Sequence, residues 1–167
     1  AVRDGMKRVY GLGLSQEELM KRGVKSGADV PYGLMRGTAL AEGIGEVLSP
    51  LPPMPPCNIL VAKPGISVST KFVYENLHAN ELRQEQHPDI DGMVEAIRSR
   101  DLYQVAGRFG NVLELVTESK YPVIGELKQA MKETGALNAL MSGSGPTVFG
   151  LYASPKAARN AYEALRY

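Results

Sequence analysis

Leu140-Met-Ser-Gly-Ser-Gly-Pro-Thr-Val-Phe149 constrains this chain more than any other segment. Small, flexible residues there lie between an apolar run and a strand-like run. Gly143 and Gly145 can take backbone angles closed to residues that carry a Cβ, which would let another chain segment or a phosphate come close. Ser142, Ser144 and Thr147 add hydroxyls, and consecutive backbone N–H groups in such a turn form an anion-binding nest. Tight packing explains the same glycines equally well. The segment gains meaning beside two others far upstream, Gly27-Ala-Asp-Val-Pro31 and Arg36-Gly-Thr-Ala-Leu-Ala-Glu-Gly-Ile-Gly-Glu46.

The chain has 167 residues, enough to bury a proper core. Hydrophobic residues at 44% and charged residues at 22% are ordinary for a soluble globular protein. A formal net charge of +1, with Lys and Arg scattered, argues against nucleic acid as a partner. No apolar run approaches the ~18 residues of a membrane span. The single Cys57 forms no internal disulfide, so a cytoplasmic setting is expected. Val2, Met6 and Val9 fall on one helical face with no cap before them. That start predicts a longer protein cut at Ala1, with this face exposed where its partner segment is missing.

Along the chain, Ser15 and Glu18 form a capping box for a short helix from Gln16 to about Arg22. Gly27 and Pro31 bracket a bend or a first helical turn. Thr38 to Leu51 holds two short strands joined near Gly43–Gly45, and Leu51-Pro-Pro-Met-Pro-Pro56 is a rigid, extended connector. Asn58–Ala62 reads as a strand. Helices are expected over Ser69–Asn76, Ile90–Ser99, Leu102–Val116 and Val123–Glu133, with Asp101 and Pro122 marking two of the starts. Glu81 to Asp89 is a polar surface loop, Thr147–Tyr152 a strand, and Pro155–Leu165 a closing amphipathic helix. Strands mixed with helices without strict alternation point to an α+β fold, a small antiparallel sheet with helices packed on one face.

Asp29, held between a glycine turn and a proline, suits a carboxylate that accepts a proton from a substrate hydroxyl. It suits better, from these residues alone, a helix cap ahead of Pro31. Gly11-Leu-Gly13 lacks the third glycine of a dinucleotide fingerprint, and Gly43-Ile-Gly45 reads as a hairpin turn. His78 and His87 match no zinc spacing, so no metal site is expected. Tyr74 follows Gly65-Ile-Ser-Val-Ser-Thr70 on a short helix. An aromatic face beside hydroxyls suits a flat base, and also a half-exposed core tyrosine.

Together with Tyr10-Gly-Leu-Gly-Leu-Ser15 and Lys63-Pro-Gly-Ile-Ser67, these segments resemble the galactokinase, homoserine, mevalonate and phosphomevalonate (GHMP) kinase superfamily nearly end to end. Within it they resemble the branch that phosphorylates an erythritol hydroxyl of a small molecule carrying a cytidine diphosphate group, in non-mevalonate isoprenoid biosynthesis. The resemblance implies a two-lobed, ATP- and Mg2+-dependent kinase. Residues 1–56 would be a remnant of its N-terminal lobe and 57–167 its C-terminal domain. The family's glycine-rich phosphate loop, and the N-terminal lobe segment that carries it, are not in this sequence, so the fragment alone is expected to be inactive. By the same resemblance Asp29 is the catalytic base, and Thr70 and Tyr74 contact the cytidine, with Tyr where the family has Phe. Gly143, Ser144 and Gly145 support the phosphate loop. Lys71 stands where part of the family has proline. The alternatives are another GHMP small-molecule kinase, with a mevalonate-like or amino-alcohol substrate, and a non-catalytic folding or interaction module.

Overall fold

A computed structural model of the protein describes Gly13 and residues 15–166. The expectations for Val2, Met6, Val9 and Gly11 lie outside the described residues. The chain divides into two compact units between Met54 and Pro55. Among the described residues no helix is long and apolar enough to cross a membrane.

The first unit opens with α1, Gln16–Val24. Its capping box forms as the sequence predicts: the Glu18 N–H donates to Ser15 Oγ at 3.1 Å, and the Ser15 N–H donates to Glu18 Oε2 at 2.8 Å. A second, short helix follows, α2, Val30–Met35. It packs close to α1 because Gly23 carries no side chain: a Cβ there would stand 2.9 Å from Val30 Cγ1. Strands β1, Thr38–Glu42, and β2, Val47–Leu51, form an antiparallel hairpin with Thr38 opposite Leu51 and Glu42 opposite Val47. Gly43 and Gly45 turn it at φ of 68° and 107°, left-handed values that suit glycine.

The second unit is built on three strands, β3 (Asn58–Ala62), β4 (Asn138–Met141) and β5 (Val148–Tyr152). The order is β3-β5-β4 and every pair is antiparallel. Between β3 and β4 run α3 (Thr70–Asn76), α4 (Ile90–Arg98), α5 (Leu102–Gly107), α6 (Glu114–Lys120) and α7 (Val123–Glu133). After β5 the chain closes with α8, Pro155–Leu165. Ser69, Asp89, Asp101 and Ser154 cap their helices with side-chain oxygens that accept backbone N–H bonds.

Register puts Leu60, Ala62, Ala139, Met141, Val148 and Gly150 on one sheet face. Helix α7 lies directly against it, since a Cβ on Gly150 would come within 3.1 Å of Met131 Sδ. Val73, Ile124, Met131, Met141 and Val148 form the core there and are all buried. Tyr152 is fully buried too, with its hydroxyl donating to the Met131 carbonyl at 3.3 Å. At the β4 edge, Asn138 Nδ2 donates to the Ala106 carbonyl at 2.8 Å, and the Phe109 ring meets Phe149 edge-on at 5.4 Å.

Two expectations need correction. The helix predicted over 102–116 is two helices, α5 and α6, joined through Gly107-Arg-Phe-Gly110-Asn111. Gly110 sits where a Cβ would be 3.0 Å from Pro88, and Asn111 Oδ1 accepts the Leu113 N–H at 3.0 Å. A side chain that bonds the backbone locally competes with the helix, and here it wins. The polar segment from Glu81 to Asp89 is mostly exposed as expected, but it is not plain loop: one 3-10 turn, Ala79–Glu81, ends at its start and another, Gln84–Gln86, lies within it.

Candidate functional site

The turn between β4 and β5 brings most of the singled-out residues together. Ser142 N–H donates to the Thr147 carbonyl at 2.8 Å and Gly145 N–H to the Ser142 carbonyl at 3.0 Å. Two of the amides that a nest would offer an anion are therefore used to close the turn itself. Gly143 and Gly145 adopt φ of 57° and 84°, and the Gly145–Pro146 bond is cis.

Gly145 is required twice over. A Cβ there would lie 2.6 Å from Met141 Sδ, 3.3 Å from Met141 Cγ and 3.4 Å from Thr117 Cγ2. Gly143 has open space around it. Gly145→Ala is expected to destabilise the protein by about 2–4 kcal/mol, from left-handed strain plus overpacking. Gly143→Ala carries the strain alone and should cost about 1–2 kcal/mol. Urea unfolding of the two variants tests this order; equal losses would show that the packing term is absent.

Helix α3 approaches the turn from the other side. Thr70 Oγ1 and Ser144 Oγ are 2.9 Å apart, a hydrogen bond between residues remote in sequence. Val73 on the same helix is buried in the core and fixes its rotation. Tyr74 lies one turn beyond Thr70 on the same face and is 61% exposed, so its ring is open to solvent rather than part of the core. Beside it, the Lys120 ammonium sits 3.5 Å from the centre of the Phe72 ring. Lys71 pairs loosely with Glu75 at 3.7 Å, both side chains well exposed.

Asp29 belongs to the first unit. It occupies the N-cap position of α2, but its side chain makes no capping bond. The carboxylate is exposed. The capping alternative therefore fails in this structure, because the αR backbone at Asp29 (φ −78°, ψ −11°) is not the extended conformation from which a cap side chain reaches back. The adjacent Ala28 is backed by the hairpin: a Cβ on Gly45 would meet the Ala28 carbonyl oxygen at 3.7 Å.

Three residues unmentioned by the sequence reading organise the turn. Asn111 Nδ2 donates to the carbonyls of Met141 (3.0 Å) and Gly143 (2.8 Å). Glu114 Oε1 accepts the Met141 N–H at 2.7 Å, and Thr117 Oγ1 donates to the Ser144 carbonyl at 3.3 Å. Glu114 Oε2 also takes a bond from Lys128 Nζ at 2.6 Å, and Lys128 reaches Glu118. Burial, the largest single influence on Lys128, disfavours its charge. The hydrogen bonds and charges of Glu114 and Glu118 together outweigh burial and hold its pKa above the ordinary lysine value. An asparagine inside a helix-like pattern, just after a glycine, was the one sequence signal that could have flagged this cluster.

Among the described residues no group of three or more His, Cys, Asp or Glu is placed to hold a metal ion. His78 and His87 are exposed.

Comparison with known proteins shows the family. The family described as GHMP kinases C terminal matches residues 75–167. A 4-diphosphocytidyl-2-C-methyl-D-erythritol kinase of Lachnoclostridium phytofermentans is 58% identical over 158 residues, 95% of this chain and 54% of the relative. The kinase of the same name from Lachnospira eligens is 60% identical over 148 residues, 89% of this chain and 51% of the relative. A solved structure of 4-(cytidine 5'-diphospho)-2C-methyl-D-erythritol kinase superposes with a TM-score of 0.76 at 32% identity, covering 97% of this chain and 57% of that one. Homoserine kinase from Cytophaga hutchinsonii shares the fold, with a TM-score of 0.77 at 21% identity over 96% of this chain and 56% of its own. The chain thus spans about half the length of the curated relatives it matches. Sequence and fold agree that this chain belongs to the GHMP kinase family.

Proposed function

We propose that the full-length protein phosphorylates the erythritol 2-hydroxyl of 4-diphosphocytidyl-2-C-methyl-D-erythritol with ATP, a step of non-mevalonate isoprenoid biosynthesis. In this reading residues 1–56 contribute to the N-terminal lobe and 57–167 form the C-terminal domain. The observation that carries it is the pairing of the Thr70 hydroxyl with Ser144 while the Tyr74 ring stays open one turn away. A hydroxyl and an exposed aromatic at that spacing suit a flat base, which stacks on the ring and hydrogen-bonds beside it. The 58% and 60% identity to kinases of that name supports the same substrate.

Asp29 acts as general base, taking the hydroxyl proton as that oxygen attacks the γ-phosphorus of ATP and the bond from the γ-phosphorus to the β–γ bridging oxygen breaks, releasing ADP. Phosphoryl transfer depends chiefly on positioning and on charge stabilisation, so the base is one contributor among several. Gly143, Ser144 and Gly145 support the phosphate loop. Mg2+ would neutralise charge on the ATP phosphates. Among the described residues no side-chain cluster forms a cage for the ion by itself.

The test is ATP-dependent phosphorylation of 4-diphosphocytidyl-2-C-methyl-D-erythritol by the full-length protein, beside homoserine and mevalonate as competing acceptors. Turnover of the cytidylyl substrate alone is expected; turnover of either competitor in its place would overturn the reading. Tyr74→Ala should weaken CDP binding by about tenfold, since stacking on one base contributes on the order of 1–3 kcal/mol. The exposed ring contributes little to folding, so the melting temperature should barely move. Unchanged CDP affinity by calorimetry would remove Tyr74 from the site.

A further inference from the structure

We infer that Asn111, Glu114 and Thr117 are positioning residues for the nucleoside end of the substrate site, acting through the 142–145 turn. The inference rests on the cytidine reading of Thr70 and Tyr74 given above. The three residues are spaced three apart, Asn111 in the connector that leads into α6 and Glu114 and Thr117 within the helix. Each makes a different bond to the same short stretch of backbone. Asn111 holds the Met141 and Gly143 carbonyls, Glu114 holds the Met141 N–H, and Thr117 holds the Ser144 carbonyl.

Such a set fixes a turn whose two glycines would otherwise leave it many conformations. Thr117 is fully buried, an unusual place for a threonine unless its hydroxyl has a partner, and that partner is Ser144. Ser144 in turn places its own hydroxyl 2.9 Å from Thr70. The chain of contacts therefore runs from Asn111 and α6 through the turn to the Thr70 hydroxyl at the start of α3. Hydrogen bonds to the Ser144 and Gly143 backbone set the height at which Ser144 Oγ meets Thr70. That contact decides whether Thr70 presents its lone pairs or its proton toward a base stacked on Tyr74. None of the three residues needs to touch the substrate.

The experiment uses the full-length protein and calorimetric binding of CDP, with the KM for ATP measured in parallel. Thr117→Val keeps the shape of the side chain and removes the donor. It should weaken CDP binding by about fivefold to tenfold, and any rise in the KM for ATP, which the same turn would transmit through its support of the phosphate loop, should be distinctly smaller. Thr117→Ser restores the hydroxyl and should restore CDP affinity, which a purely space-filling role would not predict. Asn111→Asp is an independent variant: it keeps the bond to Leu113 but turns an amide donor into a carboxylate oxygen facing two carbonyls. It should show the same selective loss. Wild-type CDP affinity in both variants, or equal loss of CDP and ATP binding, would overturn the positioning role alone. Failure of the unmodified full-length protein to bind CDP would overturn the cytidine reading and this inference with it.

Discussion

Replacing Asp29 by Asn in the full-length protein is expected to lower kcat by about a hundredfold or more, the usual contribution of a general base. The same variant should fold as well as the original. Asp29 is exposed and its carboxylate holds no capping bond on α2, so its amide analogue gives up no structural interaction. Exposed substitutions away from caps and networks change stability by no more than about 0.5 kcal/mol. The two readings of this residue thus separate in one pair of measurements. A catalytic base gives lost turnover with an unchanged melting temperature, whereas a structural cap would leave both unchanged, because Asn caps a helix as well as Asp does. Turnover near that of the unmodified protein would remove Asp29 from the mechanism.

Lys128→Met should destabilise the second unit by about 2–4 kcal/mol, somewhat below the cost of breaking a fully buried ion pair from one side, because this pair is part-buried. The Lys128 and Glu114 side chains are each 16% exposed and Glu118 is 31% exposed. Methionine preserves the stem of the side chain but leaves two carboxylates facing each other without their shared cation. Urea unfolding at neutral pH, with the slope held constant, measures the loss. The pH dependence has a definite sign. The pKa of Lys128 is raised in the folded state, so the lysine's contribution is fully present below its unfolded value of about 10.4. It is lost as pH rises through the higher folded value. The gap between the two proteins should therefore narrow above that range. A gap that stayed constant into strong alkali would show that the cost is one of packing, not of charge.

Local chemistry was legible where it was written in neighbouring residues. The Ser15–Glu18 box, the Asp101 cap, the hairpin over 38–51, β3, α7 and α8 could all be read from short patterns, because each is set by residues within a few positions. Strand β4 could not. Asn138-Ala-Leu-Met141 is four residues of mostly helix-favouring type, and only pairing with β5 makes it a strand. The break after Gly107 was hidden for a related reason: apolar spacing continues through 102–116, and although the Asn111–Leu113 bond that ends the pattern is local, the carbonyls that hold the Asn111 amide lie some thirty positions away. Thr70 and Ser144 could be singled out individually, but their meeting is a tertiary fact. Residue types in the site were readable, and the scaffold that aims them was not.

Strand order also sets a timetable for the growing chain. Strand β5 is the central strand of the sheet and the last to be synthesised, so neither β3 nor β4 has a partner until Tyr152 has emerged. A strand as apolar as Asn58-Ile-Leu-Val-Ala62 must remain soluble on the ribosome through that interval, when pairing with a foreign strand is the main hazard. The prolines of 52–56 stand immediately ahead of it and cannot donate to a ladder, which keeps any stray pairing from spreading upstream. Contacts between segments so far apart favour slow folding. A nascent chain halted before β5 should therefore lean on chaperones far more heavily than one released after it.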